Sequence, residues 1–239
     1  MRIVIDMQGA QTVSRFRGIG RYTLNFTKAL VRNRGRHEIY LVLNGLFTET
    51  IQPIRFAFDK LLPQENIRVF SAPGPVKDIN SVNKYRRESA ELLREDFIES
   101  LNPDVIHIGS LFEGYLDDAI ISIGKLDRST LVSITLHDLI PLVNPEQFLS
   151  DNPGYSKFYN SKLKLIGKAK LLLTNSKSTK KEALEKLKIK NDRVINISTG
   201  INHDLFKVEN TDNSQDVLNK LGIKKHYFFT AGSEEIHKN

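Results

Sequence analysis

Short apolar runs rich in β-branched residues alternate with segments of helical periodicity along this chain of 239 residues. The runs recur roughly every 30 residues and are almost continuously apolar, as strands buried on both faces must be. Because a helix between successive strands favours right-handed crossovers, the alternation predicts an α/β fold with a doubly wound, mostly parallel sheet. The predicted strands are Arg2–Asp6, Glu38–Leu43, Asn66–Phe70, Asp104–Ile108, Leu131–Leu136, Leu171–Thr174 and Val194–Ile197.

The clearest predicted helix runs from Lys84 to Leu101, where Ala90, Leu93 and Phe97 share one apolar stripe. Asn102-Pro103 ends it, because a proline ring cannot continue the hydrogen-bond ladder. The other predicted helices are Ile19 to Leu30, Phe47 to about Leu61, Tyr115 to Gly124, Tyr155 to Ala169, and a segment to about Leu187 that opens on the capping-box pattern Thr179-Lys180-Lys181-Glu182.

The carboxyl-terminal residues predict a second domain. Tyr227 to Ala231 reads as a strand, followed by Gly232-Ser233, with too little chain behind it to cover both of its faces. This strand either joins the preceding sheet or opens a second domain. Glu209 to Gln215 is polar and typical of a linker, which favours the second domain. We therefore expect a first domain over residues 1–208, a linker and helix over 209–225, and the truncated start of a second domain over 226–239.

Composition narrows the classes of function. The chain has no cysteine, which excludes disulfides and thiolate metal sites and fits a reducing cytoplasm. Residues 1–6 hold too short an apolar run for a signal peptide. No segment approaches the roughly 20 apolar residues of a membrane span. A soluble, cytoplasmic protein is expected, at most peripheral to the inner face of a membrane.

Positive charge is concentrated in two segments. Net charge is +7, with eleven lysines between Lys157 and Lys190 and a second basic cluster between Arg15 and Arg36. Such segments attract nucleic acid, anionic lipid or a phosphorylated substrate, or they are simply solvated surface. Nucleic acid is not expected as a partner, because no aromatic platforms are interleaved with the basic residues and no helix-turn-helix pattern appears.

Ligands of doubly wound sheets bind beyond the carboxyl ends of the strands, so the loops there hold the candidate site. In Arg17-Gly18-Ile19-Gly20-Arg21-Tyr22 the glycines permit close approach of a ligand, and a helix amino terminus attracts anions. A tight turn into the helix explains the same glycines. His137 and Asp138 follow the fifth strand, where a histidine can position a substrate hydroxyl, although a lone histidine is more often structural.

Two further loops follow later strands. Thr174-Asn175-Ser176-Lys177-Ser178 precedes a helix, so Ser176 or Ser178 either contacts a ligand or caps that helix. Gly200-Ile201-Asn202-His203-Asp204 is a turn that we expect to face an interdomain cleft. Of the other histidines, His107 lies within a strand and is expected in the core. No metal site is expected, because no cluster has metal-ligand spacing.

Five segments, taken in order, resemble one family. They are R-F-R-G-I-G-R-Y from residue 15, L-H-D-L-I-P from 136, L-L-L-T-N-S-K-S-T-K from 171, S-T-G-I-N-H-D-L-F from 198 and Y-F-F-T-A-G-S-E-E-I-H-K-N from 227. Together they resemble the retaining, two-domain glycosyltransferases of family four, particularly bacterial mannosyl- and rhamnosyl-type enzymes of polysaccharide assembly. The resemblance implies the GT-B fold, with two Rossmann-like domains, the acceptor in the first and the sugar nucleotide mainly in the second.

The resemblance also implies roles for single residues. His137, with Asp138 beside it, would lie close to the transferred sugar as the catalytic pair. Donor-binding residues would be Gly18, Gly20, Arg21, Ser176 and Lys238, the last matching a lysine that contacts the diphosphate. His237 stands where the family has a basic residue before that lysine. The paired glutamates of the second domain are absent from these residues, so the chain by itself is expected to be inactive.

The implied reaction moves a hexose, of mannose or rhamnose type, from a nucleoside-diphosphate sugar to a saccharide or lipid-linked acceptor. It retains anomeric configuration through an oxocarbenium-like state, with the leaving phosphate assisting proton removal and with no metal or cofactor. The basic stretch from Tyr155 to Lys170 could then rest on anionic membrane. The alternative is a noncatalytic sugar- or nucleotide-binding module of the same fold, because fold alone does not establish activity.

Overall fold

The computed structural model describes residues 1–126, 129–200 and 214–228. The chain divides into two compact units, residues 1–199 and residues 200–239. In the second unit the structure describes one helix, Ser214–Lys220, inside the segment predicted as linker and helix. Most of the predicted strand Tyr227–Ala231, the turn after Gly200 and Lys238 lie outside the described residues. The predicted domain boundaries stay a prediction.

The first unit is built around one sheet of seven strands, and every neighbouring pair is parallel. In chain order the strands are β1 Arg2–Asp6, β2 Glu38–Asn44, β3 Ile67–Phe70, β4 Val105–Ile108, β5 Leu131–Leu136, β6 Leu171–Thr174 and β7 Val194–Asn196. Their order in the sheet is β3-β2-β1-β4-β5-β6-β7. The predicted doubly wound, Rossmann-like α/β fold is therefore confirmed, and the strand ends differ from the predicted ones by at most a residue.

Helices lie between most of the successive strands. They are α1 Gly18–Arg32, α2 Thr48–Ala57, α3 Lys84–Glu99, α4 Ile140–Val143, α5 Pro145–Phe148, α6 Pro153–Ile166, α7 Lys177–Leu187 and, in the second unit, α8 Ser214–Lys220. Side chains alternate across the sheet, so that Val4 packs in the core beneath α3 and Ile5 packs in the core beneath α1 and α2. No helix within the described residues combines the length and apolar character needed to cross a membrane.

The predicted helix from Tyr115 to Gly124 was wrong. This segment is irregular, and the five consecutive residues 119–123 are all buried, which one face of a helix could not achieve. Its backbone groups bond instead to buried side chains from distant elements. The Gln8 amide exchanges two hydrogen bonds with the backbone of Ile120, each of 2.8 Å. Lys162, from α6, donates to the Ile121 carbonyl oxygen at 3.0 Å.

The apolar stripe predicted for α3 was wrong at Leu93, which is 46% exposed. Arg94 takes its place in the interior, with 1% of its side chain exposed. Its guanidinium forms a salt bridge with Asp6, at the end of β1, through Nε–H to Oδ2 at 2.9 Å. Gln8 also donates to the Asp6 carboxylate, and Arg94 donates to the Ser122 carbonyl oxygen. The buried charges are thus fully bonded, as burial of an ion pair requires.

His107 lies in the core of the sheet, as predicted. Its ring nitrogens contact the hydroxyls of Ser133 at 2.8 Å and Thr135 at 3.1 Å on neighbouring β5. The Phe26 ring of α1 packs against it, with ring centroids 5.4 Å apart. Burial, with a smaller contribution from the nearby His137, lowers the pKa of His107 to about 4.

We expect His107 to make the protein acid-sensitive. Its pKa of about 4 in the folded protein lies below the ordinary 6.5, so the unfolded chain binds the extra proton as pH falls below 6.5. Stability should therefore fall by about 3 kcal/mol between pH 6.5 and pH 4 from this group alone. Urea unfolding of the wild type and of His107→Gln at both pH values checks this. An equal acid-induced loss in the two proteins would contradict it.

Candidate active site

The carboxyl ends of the strands form the rim where the sheet order reverses, between β1 and β4. Such a switch point leaves a crevice in which α/β proteins bind ligands. The loop after β1 and the amino terminus of α1 lie on one side of it, and Gly109 and Ser110, after β4, lie on the other. The glycine loop and the His137 segment meet here, because the Tyr22 ring of α1 packs edge-on against His137 with centroids 5.2 Å apart.

Gly18 and Gly20, the two glycines of the Arg17–Tyr22 loop, have different structural roles. A Cβ on Gly20 would lie 2.3 Å from the Arg15 Cα and 2.4 Å from the Ser14 carbonyl oxygen. Gly20 therefore lets α1 pack against the preceding turn, which is the tight-turn interpretation. Gly18 is exposed at the first position of α1, and a Cβ there would meet nothing within 4 Å. Only Gly18 leaves the backbone open to a ligand.

These contacts predict opposite outcomes for two matched substitutions. Gly20→Ala should lower the free energy of unfolding by about 2–3 kcal/mol, because the new methyl group meets backbone that cannot rotate away. Gly18→Ala should change it by less than about 1 kcal/mol, with a gain favoured by the higher helix propensity of alanine. Thermal and urea unfolding of both variants measure the difference. Equal losses would contradict the assignment.

The amino terminus of α1 has no side-chain cap. Its N-cap residue, Arg17, has extended backbone and makes no capping hydrogen bond through its side chain. The first N–H groups of this 15-residue helix, with the positive end of its dipole, therefore face the rim. Arg21, in the first turn, has an exposed guanidinium. This end of the helix can attract an anionic group such as a phosphate.

His137 is half-buried at the end of β5. Its Nε2 lies 2.9 Å from the carbonyl oxygen of Gly109. Because a carbonyl oxygen only accepts, Nε2 carries the proton and Nδ1 is the acceptor of the neutral ring. Burial lowers the pKa of His137 below its ordinary 6.5, outweighing the Gly109 hydrogen bond and the charge of Asp138, which act in the opposite direction. The ring is thus held neutral and in one orientation at physiological pH.

Asp138 makes a different contact from His137. Its Oδ1 accepts from the backbone N–H of Ile140 at 3.1 Å and so supports the turn into α4. Its charge also contributes to the raised pKa values of Tyr155 and Tyr159, after the larger effect of burial on each. Asp138 therefore lies on the side of the rim formed by α6, and the structure gives it a backbone-supporting role.

Ser176 is the N-cap of α7. Its Oγ accepts from the Thr179 backbone N–H at 3.0 Å, so the helix begins at Lys177 and the predicted start of the capping box at Thr179 was wrong. The Thr179 hydroxyl donates to the His137 carbonyl oxygen at 3.2 Å. The amino terminus of α7 is thereby fixed to the end of β5. Ser176 serves the helix, and its contact with a donor stays a prediction.

Glu113 belongs to this region, and sequence reasoning missed it; Tyr22 was named only as part of the glycine loop, without its contact with His137. The Glu113 carboxylate is buried beneath the glycine loop, where it accepts from Thr12 and Ser110 hydroxyls, each at 2.9 Å. Burial, followed by the nearby charge of Asp117, raises its pKa. The sequence could have indicated Glu113, because this residue lies in the loop after β4 and the carboxyl end of β4 is also part of the rim. Among the described residues, no three His, Asp or Glu side chains could hold a metal ion together.

Comparison with known proteins agrees with this architecture. Residues 16–205 match the family described as Glycosyltransferase Family 4. The chain is 31% identical over its whole length to a serotype-specific mannosyltransferase WbdA from Escherichia coli, of which it spans 29%. A second WbdA from the same species is 31% identical over 89% of the chain, which spans 26% of that relative.

Solved structures share the fold at low sequence identity. Anabaena HepE in complex with UDP-glucose superposes with a TM-score of 0.52 at 14% identity, covering 93% of this chain and 50% of HepE. HepE in complex with UDP superposes with a TM-score of 0.51 at 16% identity, covering 92% and 50%. At this identity the likeness shows the fold alone. The family match covers most of the residues that build the sheet and its rim, and this chain belongs to Glycosyltransferase Family 4.

Proposed function

We propose that this chain is the acceptor-side lobe of a glycosyltransferase that moves a hexose of mannose or rhamnose type in cell-surface polysaccharide synthesis. The donor would be a nucleoside-diphosphate sugar and the acceptor a saccharide or lipid-linked saccharide. One observation carries the proposal: a neutral His137, fixed by Gly109, lies beside the uncapped amino terminus of α1 at the switch point of the sheet. The similarity to WbdA mannosyltransferases supports the sugar class.

The two halves of this rim would act on different parts of the donor. The amino terminus of α1 would stabilise negative charge that develops on the leaving diphosphate. Gly18 would let the diphosphate approach the backbone, because no side chain occupies that space. Lys238, outside the described residues, would add a positive charge to the same group.

His137 would orient the transferred sugar. With Nε2–H held by Gly109, Nδ1 would accept a hydrogen bond from a hydroxyl of the hexose. A neutral ring avoids placing a positive charge against the oxocarbenium-like state that the family mechanism implies. Retention of anomeric configuration, with the leaving phosphate removing the acceptor proton, would then need positioning and charge stabilisation from the protein.

Contact with an anionic membrane would depend on charge. The apolar face of α6 packs against the protein interior, because Phe158, Tyr159 and Ile166 are buried. Lys157 and Lys164 are exposed on the same helix. Attraction of these lysines to anionic lipid would then bring a lipid-linked acceptor near the rim, without insertion of the helix.

A transfer assay tests the proposal. The complete natural polypeptide that carries these residues is incubated with radiolabelled GDP-mannose or another nucleoside-diphosphate hexose and with manno-oligosaccharide acceptors. A longer labelled oligosaccharide is expected, with the anomeric configuration of the donor in the new linkage by NMR. Binding of donor and acceptor with no product would favour the noncatalytic sugar-binding module instead.

A further inference from the structure

A cavity of about 370 Å³ lies between α1 and α2, on the other side of the glycine loop from His137. Its volume is in the range of small-molecule sites. Apolar side chains form most of its wall, including Phe16, Leu24, Pro53 and Ile54. All of its lining residues belong to the first unit.

Charged groups flank one exposed aromatic ring at this cavity. Phe16 is 68% exposed, and the Arg15 guanidinium lies over its ring, 4.5 Å from the centroid. Arg15 also pairs with Glu49 of α2 at 3.3 Å and donates to the Gln11 carbonyl oxygen at 2.6 Å. Arg21 lines the cavity from the first turn of α1. An apolar face therefore lies between hydrogen-bond donors and a carboxylate acceptor.

This chemistry fits a neutral sugar ring better than other ligands. A pyranose offers an apolar C–H face to an aromatic ring, while hydroxyls at its edge both donate and accept hydrogen bonds. A phosphate would meet the Glu49 carboxylate, and an acyl chain would desolvate Arg21 and the Arg15–Glu49 pair without adding a hydrogen bond to any of them. We infer that the cavity binds an inner sugar unit of the saccharide acceptor, with Phe16 as its stacking platform; this rests on the proposed function.

The position of the cavity explains why the sugar would be an inner unit. Arg21 lines the cavity, and the next residue of α1, Tyr22, packs against His137. Arg21 and Tyr22 are adjacent and lie about 100° apart around the axis of α1, so the cavity and the place proposed for transfer are on different faces of the same helical turn. An acceptor chain whose last sugar reaches His137 would lay an earlier sugar in the cavity. Acceptors of several units would then bind more tightly than single sugars.

Ligand-observed NMR titration of the chain with mannose and with α-linked mannobiose, mannotriose and mannotetraose tests the inference. Affinity should rise with acceptor length. Phe16→Ala should weaken mannotetraose binding about five- to tenfold, which corresponds to the free energy of a typical aromatic contact. Glu49→Gln should weaken it as well. The matched control is Phe56→Ala, because Phe56 is 84% exposed on α2 and does not line the cavity.

The outcomes separate the inference from the proposed function. The inference is overturned if wild type and Phe16→Ala bind mannotetraose equally, or if Phe56→Ala loses as much affinity as Phe16→Ala. It is also overturned if the wild type does not bind at millimolar acceptor, or if inorganic phosphate displaces the bound mannotetraose. Thermal unfolding of Phe16→Ala, expected unchanged for so exposed a ring, shows that a loss is local. The titration needs no donor. If the transfer assay fails but binding still increases with acceptor length, only the proposed function is contradicted.

Discussion

His137→Ala should lower the transfer rate of the complete polypeptide by about 100- to 1000-fold, within the range that a positioned histidine contributes. The substitution removes the Nδ1 acceptor while leaving the sheet and α1 in place. Loss of the Gly109 hydrogen bond should cost only about 1 kcal/mol of stability. Steady-state rates with labelled donor, alongside thermal unfolding, measure both effects. His37→Ala is the matched control, because His37 precedes the amino end of β2, whereas the rim is formed by the carboxyl ends of the strands.

The pH dependence of the same transfer rate should report the protonation of His137. Protonation removes its only acceptor nitrogen, so activity should fall as pH drops through its pKa. Burial lowers that pKa, which puts the midpoint of the acid limb below the ordinary 6.5 and leaves the rate flat at neutral pH. A variant that melts many degrees lower but transfers sugar normally per folded molecule would show that His137 is a packing residue.

Arg94→Met should destabilise the protein by about 3–5 kcal/mol, as expected when one partner of a buried ion pair is removed. The Asp6 carboxylate would remain 1% exposed with its charge uncompensated. Urea unfolding at pH 7 measures the loss. The matched control, Arg87→Met on the same helix, breaks a more exposed pair with Asp78 and should cost less than about 1 kcal/mol.

A double variant separates the ion pair from simple packing. Asp6→Asn combined with Arg94→Met removes both charges, so it should be more stable than Arg94→Met alone. The amide introduced in place of the Asp6 carboxylate would keep the Oδ1 oxygen, which accepts from both the backbone N–H and the side-chain amide of Gln8. If the double variant is instead less stable by the sum of the single losses, the charge of Asp6 is not what the guanidinium compensates.

The sheet could be predicted because its strands carry the required information locally. A strand buried on both faces must be almost continuously apolar, and runs such as residues 39–43 satisfy that without reference to the rest of the chain. Strand order could not be read in this way. It depends on which crossovers each helix makes, and no single segment encodes them.

Predictions failed where a residue has a distant partner. Leu93 was assigned to the core because it is apolar, yet Arg94 is buried because Asp6, 88 residues away, needs a counter-ion. The segment after Tyr115 has helical composition, but its backbone bonds to Gln8, 112 residues away at Ile120. Neither contact can be predicted from the local periodicity of the sequence.

At the candidate site, the rule that ligands lie beyond strand ends selected segments that the structure brings together at one rim. It located the glycine loop and His137, which the structure brings together through Tyr22. It could not assign roles within the rim. Gly20 serves helix packing and Ser176 caps α7, and both follow from backbone distances that sequence does not contain. Glu113 was overlooked although it lies in the loop after β4.

The central claim is that saccharide and sugar nucleotide meet this protein at the carboxyl rim of the sheet. Mapping backbone amide shifts of the isotopically labelled chain during titration with mannotetraose, and separately with GDP-mannose, tests it most directly. We expect the largest shifts at Gly18, Tyr22, Gly109 and His137. Shifts concentrated at the opposite ends of the strands, around Arg2, Val105 and Leu131, would contradict the claim.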